Sequence, residues 1–177
     1  MTPPEIARRT ARTHPALLTI AFLAGGFASL SAQYAPDITP LMRGALLCVS
    51  TAITSFWHWA IYTMAQAVTG PAPARWSWLF AAPPVFAFFA GVAEWPTYNS
   101  PAAITYLGLY FLSAWCAAQA LENADSASRI APVGRIATSA GLMWVAYIGV
   151  WKLWVTIRRV EAAASAGRDH GMTIRGA

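Results

Sequence analysis

An ionisable side chain stands inside one of the longest apolar runs of the chain. The run reads SFWHWAIYTMAQ over residues 55–66 and places His58 between Trp57 and Trp59. Burying such a group within a membrane is costly, so its presence there indicates a function. Imidazole can ligate the metal of a tetrapyrrole, and it can take up and release protons. His58 is therefore the first candidate for chemistry in this sequence.

Helical spacing decides which side chains share a face with His58. On a helix, Trp57 and Trp59 point about 100° to either side of it. Thr54 and Tyr62 lie four residues away on its own face, where their hydroxyls can hydrogen-bond the imidazole. His58, Tyr62 and Thr54 form the predicted polar or ligand site. The competing interpretation is structural: the neutral imidazole is hydrogen-bonded by these two hydroxyls and has no further role.

A haem or chlorophyll bound at His58 is the cofactor hypothesis. Ligation by two histidines is disfavoured, because His14 and His170 lie in the tails of the chain. Five-coordinate ligation, or ligation with Met64 or Met143 as the partner, stays open.

Motifs for catalysis or for a protein-held metal are missing from the sequence. It contains no HExxH pair, no Gly-x-Ser-x-Gly, no Walker loop and no cysteine–histidine cluster. Cys48 and Cys116 are isolated within apolar runs, which is typical of small buried side chains. We therefore expect neither an enzyme nor a metal site.

The composition is that of a membrane protein. Of the 177 residues, 57% are hydrophobic and 11% are charged, whereas soluble domains average about 25% charged residues. The net charge of +5 comes largely from arginines that flank the apolar runs, which is the ordinary topology signal of membrane proteins. The sequence therefore predicts a lipid bilayer as the surroundings and no nucleic-acid partner.

Five apolar segments approach the length of about 20 residues that a membrane-spanning helix needs. They cover residues 16–34, 44–68, 76–95, 102–121 and 136–157. None of them alternates apolar and polar residues as a barrel strand would. The predicted fold is an all-α, polytopic transmembrane helical bundle over residues 16–160. A basic N-terminal arm, 1–15, precedes it, and a polar, flexible tail, 161–177, follows it.

The number of spans is ambiguous, because five spans distribute Lys and Arg almost evenly between the two sides. An alternative has four spans, with residues 76–95 re-entering the membrane where Pro83 and Pro84 interrupt the helix. This alternative places both basic termini on the cytoplasmic side, as the positive-inside rule favours. We expect a bacterial inner membrane protein with a cytoplasmic N-terminus.

Small residues four apart on three segments indicate close helix packing, either within the chain or with other subunits or copies of it. They are Gly25, Ala28, Ser29, Ala114, Ala118, Ala137 and Gly141.

Three functions remain open. The leading hypothesis is a non-catalytic subunit of a larger membrane assembly of the secretion, conjugation or respiratory type. The first alternative is a small transporter or channel that uses the polar stripe of His58 and Tyr62. The second alternative is a tetrapyrrole-binding membrane protein with His58 as the axial ligand.

Overall fold

The regular secondary structure of the described residues is all helical, as the sequence predicts. A computed structural model describes residues 3–35, 37–69, 76–96, 100–126 and 128–175; for residues 3, 4, 11 and 164–175 it describes the helical backbone alone. These ranges contain seven helices: α1 Pro3–Arg12, α2 Pro15–Tyr34, α3 Pro40–Thr69, α4 Trp78–Val92, α5 Pro101–Asp125, α6 Val133–Trp144 and α7 Ala146–Arg175.

Proline and capping side chains mark where the long helices begin. Pro15 and Pro101 occupy the first turns of α2 and α5, where the missing N–H would have no helical partner. The Ser100 hydroxyl caps α5 by accepting a hydrogen bond from the Ala103 N–H at 3.1 Å. The prolines that separate the apolar runs in the sequence therefore start helices as well as ending them.

Three helices, α2, α3 and α5, are long and apolar enough to cross a membrane. The α4 helix has only 15 residues. It therefore rises about 22 Å, which is less than the thickness of about 30 Å of a bilayer's hydrocarbon core. Pro83 and Pro84 lie inside α4 and are buried within the fold. The five-span count is not confirmed, and the reason lies chiefly in the last segment.

The segment 136–157 is two helices that fold back on each other at Val145. Arg135 of α6 and Arg159 of α7 both pair with the same carboxylate, Asp125, at 3.0 and 3.4 Å. A continuous helix would hold those two arginines about 36 Å apart. Val145 leaves the helical region (φ −95°, ψ 69°), so α6 and α7 form a helical hairpin whose tip is residues 143–146.

The hairpin lies along α2, and α7 runs antiparallel to it. From tip to end, the contacts are Tyr147 Oη to the Phe22 carbonyl at 3.4 Å, Trp151 Nε1 to Thr19 Oγ1 at 3.1 Å, and an ion pair of Glu161 with Arg12. The tip therefore reaches only to the level of Phe22, well short of the far end of α2. We name the end that carries the Arg12–Glu161 pair the termini face, and the end where α3 and α5 begin the opposite face.

The α4 helix runs antiparallel to α3 along most of its length. Tyr62 packs against Phe80 near the termini face, with ring centroids 5.2 Å apart. Gly44 crosses Gly91 near the opposite face, where a Cβ on Gly91 would lie 2.6 Å from the Gly44 Cα. This crossing is a close backbone contact that the sequence does not single out.

The small residues predicted to pack lie in different surroundings. Gly25 faces α3, where an added Cβ would lie 3.4 Å from the Ser50 Cα. Ala114 and Ala118 are fully buried, whereas Ala28 and Ser29 are half-buried. Ala137 and Gly141 face outward on α6, and a Cβ on Gly141 would meet nothing within 4 Å.

Candidate functional site

His58 is completely buried in the middle of α3, where α3 meets α5 and the hairpin tip. Its side chain has 0% exposure. Nδ1 lies 3.2 Å from the Ser113 hydroxyl of α5, and that hydroxyl donates its own proton to the Tyr110 carbonyl at 2.8 Å. Because the Ser113 proton is used in this way, Ser113 accepts from the ring. The neutral imidazole therefore carries its proton on Nδ1 and a lone pair on Nε2.

The second ring nitrogen has no such partner. Among the described residues, Nε2 is a buried atom without a hydrogen bond. The backbone of Met143, in the last turn of α6, interacts electrostatically with the ring. Carbonyls in the last turn of a helix have no intrahelical partner, so the hairpin places an acceptor carbonyl beside His58. A proton added at Nε2 would have an acceptor close by.

Two further buried polar atoms near His58 also lack partners among the described residues: Ser55 Oγ and Trp57 Nε1. Nearly all buried polar groups in folded proteins are hydrogen-bonded to protein or to ordered water. Three such atoms lie within one turn of α3, so the surroundings of the imidazole are polar as well as aromatic.

Aromatic rings close around the imidazole. Trp57 and Tyr110 have ring centroids 5.7 and 5.6 Å from that of His58, and Trp144 of the hairpin packs edge-on against Tyr110 at 5.4 Å. A tetrapyrrole does not fit this arrangement, because a macrocycle bound at Nε2 would have to occupy the volume of the hairpin tip. The packing thus opposes the hypothesis of an axial ligand.

Of the three residues predicted as the site, neither Thr54 nor Tyr62 hydrogen-bonds the His58 ring in the described part of the chain. Thr54 donates to the Thr51 carbonyl at 3.0 Å, and Tyr62 packs against Phe80. The partner of His58 is instead Ser113, which comes from a different helix. Sequence reasoning missed it, although Tyr106, Tyr110 and Ser113 recur at helical spacing and could have been recognised as one polar face.

A row of hydroxyl-bearing side chains lies between His58 and the half of the protein toward the opposite face. We call it the polar ladder, and its members are His58, Ser113, Tyr110, Thr54, Tyr106 and Thr51. Thr51 Oγ1 lies 3.1 Å from Tyr106 Oη, Tyr106 stacks on Tyr110 with centroids 6.3 Å apart, and Tyr110 interacts with Thr54. These groups can each accept and donate a proton.

The ladder ends at a cavity of about 370 Å³, which we call the vestibule. It lies near the opposite face, between α2, α3, α4 and α5, and Thr51 and Tyr106 are part of its wall. Ser29 and Gln33 of α2 and Ser50 of α3 add further polar groups to that wall. The vestibule is thus the closest described cavity to the outer end of the ladder.

Polar groups also lie on the other side of His58. Ser139, one turn before Met143 on α6, donates to the buried Glu122 carboxylate at 2.5 Å, and Arg135 pairs with that carboxylate at 2.6 Å. These three residues line a cavity of about 320 Å³ near the termini face. His58 therefore lies between two sets of polar side chains, one toward each end of the protein.

Comparison with protein-family models, with curated proteins and with solved structures yields no match to this chain. Among the described residues, no group of three or more His, Cys, Asp or Glu side chains could hold a metal ion. The function therefore has to be argued from the geometry around His58.

Proposed function

We propose that this chain is an integral membrane protein that conducts protons through its interior, with His58 as the central relay. The observation that carries the proposal is the fully buried imidazole, whose Nδ1 lies 3.2 Å from the Ser113 hydroxyl, while its Nε2 faces the Met143 backbone and has no side-chain partner within the described part of the chain. Ionisable residues inside a membrane commonly belong to proton relays. This function belongs to the transporter or channel class, with Ser113 in place of Tyr62.

The geometry suggests how a proton crosses the ring. A proton that reaches Nε2 from the side of Ser139 and Glu122 makes the imidazole a cation, which the Met143 carbonyl stabilises. The Ser113 hydroxyl then turns away from the Tyr110 carbonyl and passes its own proton to the next hydroxyl of the ladder as it accepts the Nδ1 proton, which returns the ring to neutrality. The proton leaves along the ladder to Tyr106 and the vestibule. Rotation of the ring or exchange of the two protons through internal water resets Nε2 as the acceptor.

The membrane topology that accommodates this relay has four crossings and a re-entrant hairpin. In it, α2, α3, α4 and α5 cross, while α6 and α7 enter and leave by the termini face. The re-entrant segment is thus 136–157, in place of the predicted 76–95. Of the basic side chains that the structure describes, Arg8, Arg9, Arg12, Arg129, Arg135, Arg158 and Arg159 then lie on the termini face, which the positive-inside rule places in the cytoplasm.

Cysteine labelling distinguishes this topology from five crossings. In a variant without Cys48 and Cys116, single cysteines at the exposed positions Arg9 and Ala163 should react with an impermeant maleimide from the same side of the membrane. A cysteine at Asp37, between α2 and α3, should react from the other side. Labelling of positions 9 and 163 from opposite sides would show that the last segment crosses the membrane.

Proton flux into liposomes tests the relay. The purified chain is reconstituted with a pH-sensitive dye inside, and a potassium gradient with valinomycin sets the driving potential. Wild-type protein should acidify the interior faster than protein-free liposomes do. His58→Gln should lower the flux by about a hundredfold, since a proton relay typically contributes at least that factor. Glutamine keeps a polar group for Ser113, so the variant should fold.

Tyr62→Phe is the matched control. It removes the hydroxyl that the sequence places beside His58, but the structure packs Tyr62 against Phe80 instead, so the wild-type flux should persist. The proposal is wrong if His58→Gln conducts as wild type does, or if the wild-type chain conducts no faster than lipid alone.

A subunit of a larger membrane assembly is the second candidate. The outward face of α6 supports it, because Ala137 and Gly141 are exposed and small residues of this kind permit close helix contacts. The liposome experiment separates the two functions: conduction by the purified chain alone favours the relay, and conduction only with co-purified partners favours the subunit.

A further inference from the structure

We propose that the vestibule is a binding site for an uncharged ring compound of small size that carries hydroxyl or carbonyl oxygens. This inference goes beyond proton conduction, since it concerns a ligand that sits at the outer end of the ladder, against Thr51 and Tyr106, and does not contact His58. It depends on the volume, charge and hydrogen-bonding groups of the cavity.

The vestibule exists because the hairpin fills only part of the protein's depth. Near the termini face, α7 packs against α2. The tip ends at Trp144, which contacts Tyr110 of α5. The cavity begins at Tyr106, one helical turn closer to the start of α5. The cavity is therefore a built feature of the fold, with walls from four helices. Its volume of about 370 Å³ lies within the range of small-molecule sites, roughly 300–1,000 Å³.

The residues that line the vestibule disfavour the binding of a charged ligand. Among the described residues that line it, none is Lys, Arg, Asp, Glu or His. A charged ligand would lose its hydration there without gaining a counter-ion, which is strongly unfavourable. In a neighbouring cavity that shares Gln33 and Trp95 with the vestibule, Arg43 and Glu94 neutralise each other in an ion pair of 2.6 Å. That ion pair therefore leaves no unpaired charge beside the vestibule to attract a charged ligand.

The polar groups of the wall suit oxygen-bearing ligands. Thr51 donates to the Leu47 carbonyl at 2.9 Å, so the Tyr106 hydroxyl donates to Thr51 and its oxygen remains an acceptor. The Gln33 amide, which donates to Ser29 at 3.3 Å, supplies a carbonyl oxygen and a second N–H. These groups would be desolvated by a lipid tail, which cannot hydrogen-bond with them.

An aromatic corner favours a flat ring. Trp95 and Phe86 both line the cavity, with centroids 5.8 Å apart and planes at 54°. The corner offers two ring faces of different orientation, and stacked or edge-on contacts with a ligand ring are favourable. The preceding residue, Glu94, has a φ of 53°, a conformation that is rare for residues other than glycine and clusters at ligand sites.

Protection of an engineered cysteine tests the site with resorcinol, an uncharged ring with two hydroxyls. The background lacks Cys48 and Cys116. Ala103→Cys places a thiol in the vestibule wall, and Ile104→Cys places a matched thiol on the outer face of the same helix. Resorcinol should slow modification of position 103 by methyl methanethiosulfonate in a saturable way, while the rate at position 104 stays unchanged.

Two comparisons decide whether the ligand class is right. The charged analogue 3-hydroxybenzoate should not protect position 103. Gln33→Leu should raise the resorcinol concentration for half-protection by about three- to tenfold, the effect of one lost hydrogen bond. Absence of protection, equal protection by both compounds, or equal slowing at position 104 would overturn the proposal.

His58→Gln separates this inference from the proposed relay. Because His58 does not line the vestibule, the variant should lose proton flux and keep resorcinol protection. A wild-type chain that conducts without protection contradicts the ligand site alone, and one that is protected without conducting contradicts the relay alone.

Discussion

Gly149→Ala should open the helical hairpin and disable the relay. A methyl group at Gly149 would overlap the Leu142 carbonyl, which is main chain and cannot rotate away. Overpacking of this kind costs about 1–3 kcal/mol, and we expect the upper end of that range because α6 and α7 must move apart. The movement also carries Met143 away from His58, so proton flux should fall together with stability. Unfolding in mixed detergent micelles, followed by circular dichroism, measures the first effect.

Gly141→Ala is the control for this substitution. It makes the same change eight residues earlier, at a position where the added methyl meets nothing within 4 Å. Alanine is the better helix former by about 1 kcal/mol, so this variant should be as stable as wild type or more so. Equal stability of Gly149→Ala and Gly141→Ala would show that the close approach at the hairpin tip is not required.

Gly91→Ala should separate α3 from α4. Its methyl would lie 2.6 Å from the Gly44 Cα and 3.1 Å from the Arg43 carbonyl carbon, both main-chain atoms. Helix association within a membrane depends on close van der Waals packing, so even a small separation removes contacts along the crossing. We expect a loss of about 2–3 kcal/mol in the same unfolding experiment. Gly108→Ala, whose methyl meets nothing within 4 Å, is the control on α5.

A double substitution makes this test sharper. Gly44→Ala should be destabilising alone, because its methyl would lie 2.6 Å from the Phe88 carbonyl oxygen. Once the first methyl has separated the helices, the second methyl has less to displace, so the two effects should not add. Additive losses would mean that the two glycines act at independent sites.

The site around His58 illustrates how far local reasoning extends. Helical spacing correctly predicts that a side chain four residues away shares the face of His58, but it cannot show which helix packs on that face. Ser113 is 55 residues distant, and its hydroxyl and that of Thr54 each donate to a carbonyl of their own turn, so only the packing of α5 on α3 decides which oxygen faces the imidazole. Local hydroxyls in helices commonly bond to the backbone in this way.

The last apolar segment shows a second limit. Residues 136–157 have the length and hydropathy of one spanning helix, and nothing in their periodicity marks Val145 as a turn. The reversal becomes visible only because Arg135 and Arg159 reach the same Asp125. These ion pairs join three positions that are far apart in the chain. Composition and helical spacing therefore do not predict them.

The sequence by itself determined that the chain is helical, that it holds apolar segments of membrane-spanning length, and that His58 is its most unusual residue; it predicted five such segments, and three helices of the structure are long and apolar enough to cross a membrane. These properties follow from composition and from the requirement that backbone groups in lipid be paired within one segment. Only the tertiary structure decided that the last segment turns back, that Gly149 and Gly91 are points of close contact, and that His58 has Ser113 on one side and the Met143 backbone on the other. Each of these depends on which helices are neighbours, and packing between helices is a property of pairs of segments distant in the chain.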